Sequence, residues 1–234
     1  MGTSEKEIEQ RLRLLNAIIT GSHVVYTAGK HGGVYVNKDG LYPHPLQTAF
    51  MARQIAKRFL TEQIDVVIAP GVGAIILGQW VAYFLIKLTY RQILSVYAEK
   101  EVVNIDDPSG GKRKCFAETG EFTFNRGYGE LIKGKRGLVV EDIVNSGGSA
   151  RKVVEAARLH GCEVIGVGVL CNRGQVTVEK LGNVPRLEAL VNATLDAWEP
   201  ADCPLCAGGV PINTTVGKGR AFLDNHPEYP RPTP

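Results

Sequence analysis

Apolar positions at helical spacing open the chain: Ile8, Leu12, Leu15 and Ile19 fall near one face of residues 4–20, which predicts an amphipathic helix. Residues 23–45 then read as two short strands around a Gly-rich turn. Pro45 to Leu60 carries a second helical pattern. From Asp65 onward, short apolar runs alternate with helical stretches. Asp65–Ala69, Ile93–Ala98, Leu138–Ile143 and Val164–Cys171 read as strands, and the segments from Ala74 to Leu88 and from Ala150 to Gly161 as helices. Such alternation predicts an α/β fold with a central parallel sheet covered by helices on both faces. Residues 99–136 show no clear period and read as irregular, as does the Pro- and Gly-rich tail from Pro200.

At 234 residues the chain suits one α/β domain with an appendage. The expected division is a core over about 46–195 and a small hood from about 1–45 plus the tail from about 196. Apolar content of 44% and charged content of 22% are ordinary for a globular protein. A net charge of +3, with no basic stripe interleaved with aromatics, gives no basis for nucleic-acid binding. The longest apolar stretch is broken by Gly78, Gln79 and Lys87, so it predicts a buried helix and no membrane span. The charged N-terminus does not read as a signal peptide, and a cytoplasmic enzyme is expected. Of five cysteines, Cys203 and Cys206 form the one Cys-x-x-Cys pair. Structural zinc usually takes four ligands, often from two such pairs, so a reduced turn is the expected reading here.

The chemistry concentrates in Gly137–Ala150, GLVVEDIVNSGGSA. An apolar strand leads into Glu141 and Asp142, and Asn145, Ser146, Gly147, Gly148 and Ser149 then form a small-residue loop at a helix start. Adjacent carboxylates repel and are costly to bury, so a chance strand end is a poor explanation. The loop offers backbone N–H groups and hydroxyls to a phosphate, and the helix N-terminus adds its positive end. The carboxylates can accept hydrogen bonds from two sugar hydroxyls. No Lys follows the glycines, which excludes a Walker A loop, and the Gly-x-Gly-x-x-Gly fingerprint is missing.

This stretch resembles the phosphoribosyl pyrophosphate (PRPP) motif of type I phosphoribosyltransferases. Asn145 stands where many members have Thr. The resemblance implies the type I fold, with a hood beside the core. It implies that Glu141 and Asp142 hold the ribose hydroxyls, that residues 145–149 hold the 5′-phosphate, and that Gly71, Val72, Gly73 and Ala74 bind pyrophosphate through backbone amides. In the resembling enzymes a cationic loop follows the strand that ends near Ala98. Many orotate members have Arg-Lys-Glu there; this chain has Glu99-Lys100-Glu101, so only Lys100 carries over. Arg113, Lys114 and Arg126 are further candidates by charge and place, and Arg126 is the one taken here as catalytic beside Lys100 and Asp142.

Residues 27–36 resemble the N-terminal orotate motif, with Lys30 and His31 at its basic positions and Tyr35 among its aromatics. Arg173 matches a base-contacting Arg, and Asn145 also borders the base in this reading. The segments around Lys100, Glu141, Arg173 and Cys203–Pro211 are similar to the Thermus-type orotate branch. The implied reaction transfers phosphoribosyl from PRPP to orotate, giving orotidine 5′-monophosphate and pyrophosphate in pyrimidine biosynthesis. Mg²⁺ held mainly by PRPP, and a homodimer, are implied as well. A phosphoribosyltransferase for another base, such as a purine, and a non-catalytic PRPP-sensing regulator are the alternatives.

Overall fold

The computed structural model describes residues 4–105, 115–193 and 196–229. Two compact units divide the chain: Leu46–Asn192, and Met1–Pro45 together with Ala193–Pro234.

The smaller unit starts with α1 (Glu5–Leu14), which buries Ile8 and Leu12. The Ser4 hydroxyl caps it by accepting from the Glu7 N–H at 3.2 Å. Acidic Glu5 and Glu7 in its first turn and basic Arg11 and Arg13 in its last complement the helix dipole. Leu15 lies beyond the helix and Ile19 belongs to the next element, β1 (Ile18–Val25). That strand pairs antiparallel with β2 (His31–Val36), with a register irregularity between Thr20 and Val24.

The larger unit begins with α2, which starts at Pro45 and runs to Arg58. Then come β3 (Val66–Pro70), α3 (Ile75–Thr89), β4 (Leu94–Ile105), β5 (Cys115–Thr123), α4 (Tyr128–Ile132), β6 (Arg136–Val144), α5 (Gly148–Leu159), β7 (Glu163–Asn172) and β8 (Leu187–Asn192). The chain returns to the smaller unit with two short helices, α6 (Pro204–Ala207) and α7 (Gly219–Asn225). The tail expected to be irregular therefore carries helical turns.

A six-stranded sheet in the order β5-β4-β3-β6-β7-β8 organises the larger unit. All its pairs are parallel except β4–β5. Gly78 of α3 lies against Val67 and Ala69, and Gly166 and Gly168 of β7 lie against Ile55 of α2 and Phe59 just beyond it. The opposite face of the sheet, with Val66, Ile68, Val139, Val167 and Val169, packs on Val153, Val154 and Ala157 of α5. Helices thus cover both faces, and β3, β6 and β7 are buried almost throughout.

Residues 99–136, expected to be irregular, are built differently. The chain from Glu99 to Ile105 continues β4 and pairs with β5, with Lys100 opposite Phe122 and Val103 opposite Ala117. This extension is mostly exposed, so it lacks the apolar run that marks a buried strand, and its partner lies far off in sequence. β8 likewise went unread, because it is a short, partly buried edge strand.

The sheet tolerates little bulk where α2 crosses β7. A Cβ on Gly166 would stand 2.9 Å from Phe59 Cε1 and 3.0 Å from the Arg186 carbonyl oxygen. Gly166→Ala is expected to destabilise the fold by about 1–3 kcal/mol, read as a lower midpoint in urea unfolding with an unchanged slope.

Candidate active site

Sheet order locates the crevice. From β3 the chain moves outward to β4, whereas from β6 it moves the other way to β7. The β3–β6 boundary is therefore a topological switch point, where the loops after two adjacent parallel strands diverge to opposite faces and leave an opening. The loop after β3 is residues 71–74 and the loop after β6 is residues 145–147. Both phosphate segments named from sequence flank this boundary.

Glu141 and Asp142 end the buried part of β6, at 7% and 5% exposure. The Asp142 N–H donates to Glu141 Oε1 at 3.2 Å and the Ile143 N–H to Asp142 Oδ1 at 2.6 Å. Backbone donors thus offset part of the cost of burying two charges. Beyond them, Gly147 takes a left-handed conformation with φ 82° and turns the chain into α5. No side chain caps α5 and its first turn carries no acid, so its N-terminal N–H groups face the loop without a competing anion. A hollow of about 120 Å³ opens here, lined by Glu141 and residues 143–150.

The loop after β3 lies against β4. The Gly71 N–H donates to the Ala98 carbonyl at 2.7 Å, and the Gly71–Val72 peptide is cis. Val72 is exposed, Gly71 and Gly73 are half-buried and Ala74 is buried, so only the first three present themselves to a ligand. α3 also lacks a side-chain cap and a first-turn acid.

Both candidate cations are paired with carboxylates. Lys100 Nζ lies 2.7 Å from Glu118 on β5, and Arg126 donates to Glu99 Oε1 at 3.2 Å. Asn125 donates to the other Glu99 oxygen at 3.0 Å. These bonds, Asn125's first and Arg126's second, hold Glu99 below the usual carboxylate range, and Glu99 in turn raises Arg126. Arg113 and Lys114 lie outside the described residues.

Arg173 follows β7 in a turn fastened from both sides. The Asn172 side chain accepts from the Val176 N–H and donates to the Val176 carbonyl, each at 2.9 Å. The Arg173 N–H donates to the Val144 carbonyl at 2.9 Å, and Arg173 Nε donates to Asn145 Oδ1 at 3.3 Å. A Cβ on Gly174 would stand 1.4 Å from the Asn145 carbonyl oxygen, so only glycine lets this turn meet the loop after β6. Asn172 was missed in the sequence because a lone Asn at a strand end carries no local signature. Its role comes from reaching Val176.

The remaining candidates belong to the smaller unit. Lys30 pairs with Glu199 at 2.9 Å, and Tyr35 is half-buried on β2. His31 is fully buried, and its Nδ1 faces His23 Nε2 at 2.9 Å and Cys206 Sγ at 3.2 Å. Burial, then His23 and His226, hold its pKa down to about 4. The ring is enclosed by its own unit, with His23 and Cys206 as its polar neighbours. Cys203 and Cys206 are free thiols, and His23 and His31, which the sequence did not connect with them, stand beside them.

Among the described residues no helix is long and apolar enough to cross a membrane. The phosphoribosyl transferase domain family matches residues 39–205. The orotate phosphoribosyltransferase of Caldanaerobacter subterraneus subsp. tengcongensis is 34% identical over 88% of this chain and 92% of its own length. That of Pelotomaculum thermopropionicum is 34% identical over 88% of this chain and 93% of its own. In three dimensions, Mycobacterium tuberculosis orotate phosphoribosyltransferase in complex with Fe(III) dicitrate superposes with a TM-score of 0.59 at 20% identity, over 80% of this chain and 95% of that one. With the acidic pair and the open helix N-terminus meeting at the switch point of a mostly parallel sheet, the chain belongs to the phosphoribosyltransferase family.

Proposed function

We propose that the chain is an orotate phosphoribosyltransferase, transferring phosphoribosyl from PRPP to orotate in pyrimidine biosynthesis. The observation that carries the chemistry is the buried Glu141–Asp142 pair beside the uncapped N-terminus of α5. A phosphate on residues 145–149 would leave the ribose within reach of these carboxylates. The orotate assignment draws on the relatives that bear that name.

In this reading positive charge develops on the ribose ring as pyrophosphate departs, and the protein supplies positioning and electrostatic stabilisation without a covalent nucleophile. The amides of Val72 and Gly73 receive the pyrophosphate, while that of Gly71 stays on the Ala98 carbonyl. Lys100 and Arg126 sit in exposed ion pairs, which contribute little to stability and exchange readily for a stronger anion. Each would leave its carboxylate for the departing group. The Arg173 fork suits the planar carboxylate of orotate, with Asn145 orienting it. Lys30 and Tyr35 keep the base-contact role that the resemblance implies.

Glu141 and Asp142 offer the hard oxygen donors that Mg²⁺ prefers, but two adjacent carboxylates fall short of a cage. Among the described residues the one cluster of three or more ligand-type side chains is the histidine–cysteine group, which does not suit that ion. Mg²⁺ would therefore be held mainly by PRPP oxygens, where it supplies charge compensation. The homodimer is part of the same proposal, on the resemblance alone.

The deciding assay incubates the chain with PRPP, Mg²⁺ and a panel of bases and follows pyrophosphate release. Release with orotate alone is expected; release with a purine and none with orotate would replace this reading. Asp142→Asn is expected to lower kcat by about 100-fold with the fold intact by circular dichroism. Arg173→Ala should raise the KM for orotate more than that for PRPP. Gly174→Ala should do the same indirectly, by pushing Arg173 away from Asn145, and its effect should vanish in the Arg173→Ala background.

A further inference from the structure

We propose that His23, His31, Cys203 and Cys206 form a tetrahedral zinc site that ties the C-terminal tail to the β1–β2 hairpin of the smaller unit. Their ligand atoms all lie within 4.8 Å of one another, three of the residues are buried, and the fourth, Cys206, is partly so. Two imidazoles and two thiols are the donor set that tetrahedral zinc takes.

The separations fit one ion at the centre. Zinc bonds of ordinary length put neighbouring nitrogens about 3.3 Å apart and nitrogen and sulfur about 3.6 Å apart. Here His23 Nε2 and His31 Nδ1 are 2.9 Å apart, and His31 Nδ1 is 3.2 Å from Cys206 Sγ. His23 Nε2 lies 3.6 Å from each of Cys203 Sγ and Cys206 Sγ. These four pairs are within about half an ångström of the zinc-centred values, and the remaining two are at most 4.8 Å apart.

The surroundings are arranged for ligation. His23 Nδ1 lies 2.7 Å from the Val210 carbonyl, which can only accept, so Nδ1 carries the proton and Nε2 presents its lone pair inward. Zinc-bound histidines are commonly held this way. His23 stands in the irregular part of β1, and its carbonyl accepts from the Asn213 N–H at 2.7 Å. The backbone of His31 exchanges two hydrogen bonds with Trp198. The His31 ring stands edge-on to Phe222, with centroids 4.7 Å apart, and its Nε2 has no hydrogen-bond partner among the described residues.

Among the described residues, Val25, Ile212 and Leu223 form a small apolar cluster that joins the unit's two segments, and a metal would add to it. His31 and Cys206 are 175 residues apart in sequence, so holding them together carries a large chain-entropy cost. Folding units with thin cores are commonly stapled by metal, and binding energy then becomes folding energy.

The test uses the full chain without substrate, so its outcome is independent of the orotate assay. The chain is purified with reductant, and bound metal is measured per chain. It is then stripped, reloaded with Co²⁺ and examined by absorption spectroscopy. Expected are roughly one zinc per chain, intense visible bands of tetrahedral cobalt, and a thiolate-to-cobalt charge-transfer band. Stripping should lower Tm by about 5 °C or more. Cys203→Ser and Cys206→Ser should each lower retained zinc by about tenfold or more. The cobalt spectrum of the unsubstituted chain decides the matter even if those variants fail to fold. Failure of the reduced chain to take up zinc or cobalt, a cobalt spectrum without thiolate charge transfer, or a Tm indifferent to stripping would overturn the site.

Discussion

Burying two adjacent carboxylates at the end of β6 is the constraint on which the larger unit depends. Glu141 and Asp142 are removed from water, and two backbone N–H groups soften that cost. β3 pairs with β6 only as far as Val139, whereas β7 pairs with it on to Val144, so the acids stand beside β7 and just past the end of the β3 ladder. The same framing places the loop of α5 beside the acids. A helix whose first turn lacks an acid, and whose first amide meets only the Ser146 hydroxyl at 3.4 Å, is suited to an anion, and the acids beside it are suited to hydroxyls. Phosphate at one end and a polyol beside it is what that pairing of charges admits.

The rest of the site is organised by neighbouring strands. β3 sends residues 71–74 to one side of the switch point, held to β4 by the Gly71–Ala98 bond. β7 sends Arg173 to the other side, held by Asn172 and by the close approach that Gly174 permits. Lys100 and Arg126 lie on or next to the β4–β5 arm with their charges matched to Glu118 and Glu99. Those carboxylates hold the two cations in exposed ion pairs. The smaller unit works on a different principle. Val25, Ile212 and Leu223 pack its two segments together, and the proposed metal on His23, His31, Cys203 and Cys206 would add a second tie between them.

The sequence by itself determined the alternation of strands and helices from Asp65 onward, because strands buried on both faces must be continuously apolar and helices must be amphipathic. It also determined the phosphate loop, whose residues are contiguous and whose chemistry depends on local order: strand, acids, small residues, helix. Tertiary structure alone decided the pairings between distant segments. The order that puts β3 beside β6 is set by long-range packing. The β4–β5 arm has an exposed, mixed pattern whose strand character comes from its partner. Most of all, His31 stands beside Lys30 in the sequence, while its contacts with His23 and Cys206 arise only in the fold. Counting Cys-x-x-Cys pairs could not reveal that His23 and His31, far away in sequence, complete the group around Cys203 and Cys206. Side chains that meet only when distant segments fold together leave no periodicity or spacing in the chain, and that cluster exists only in three dimensions.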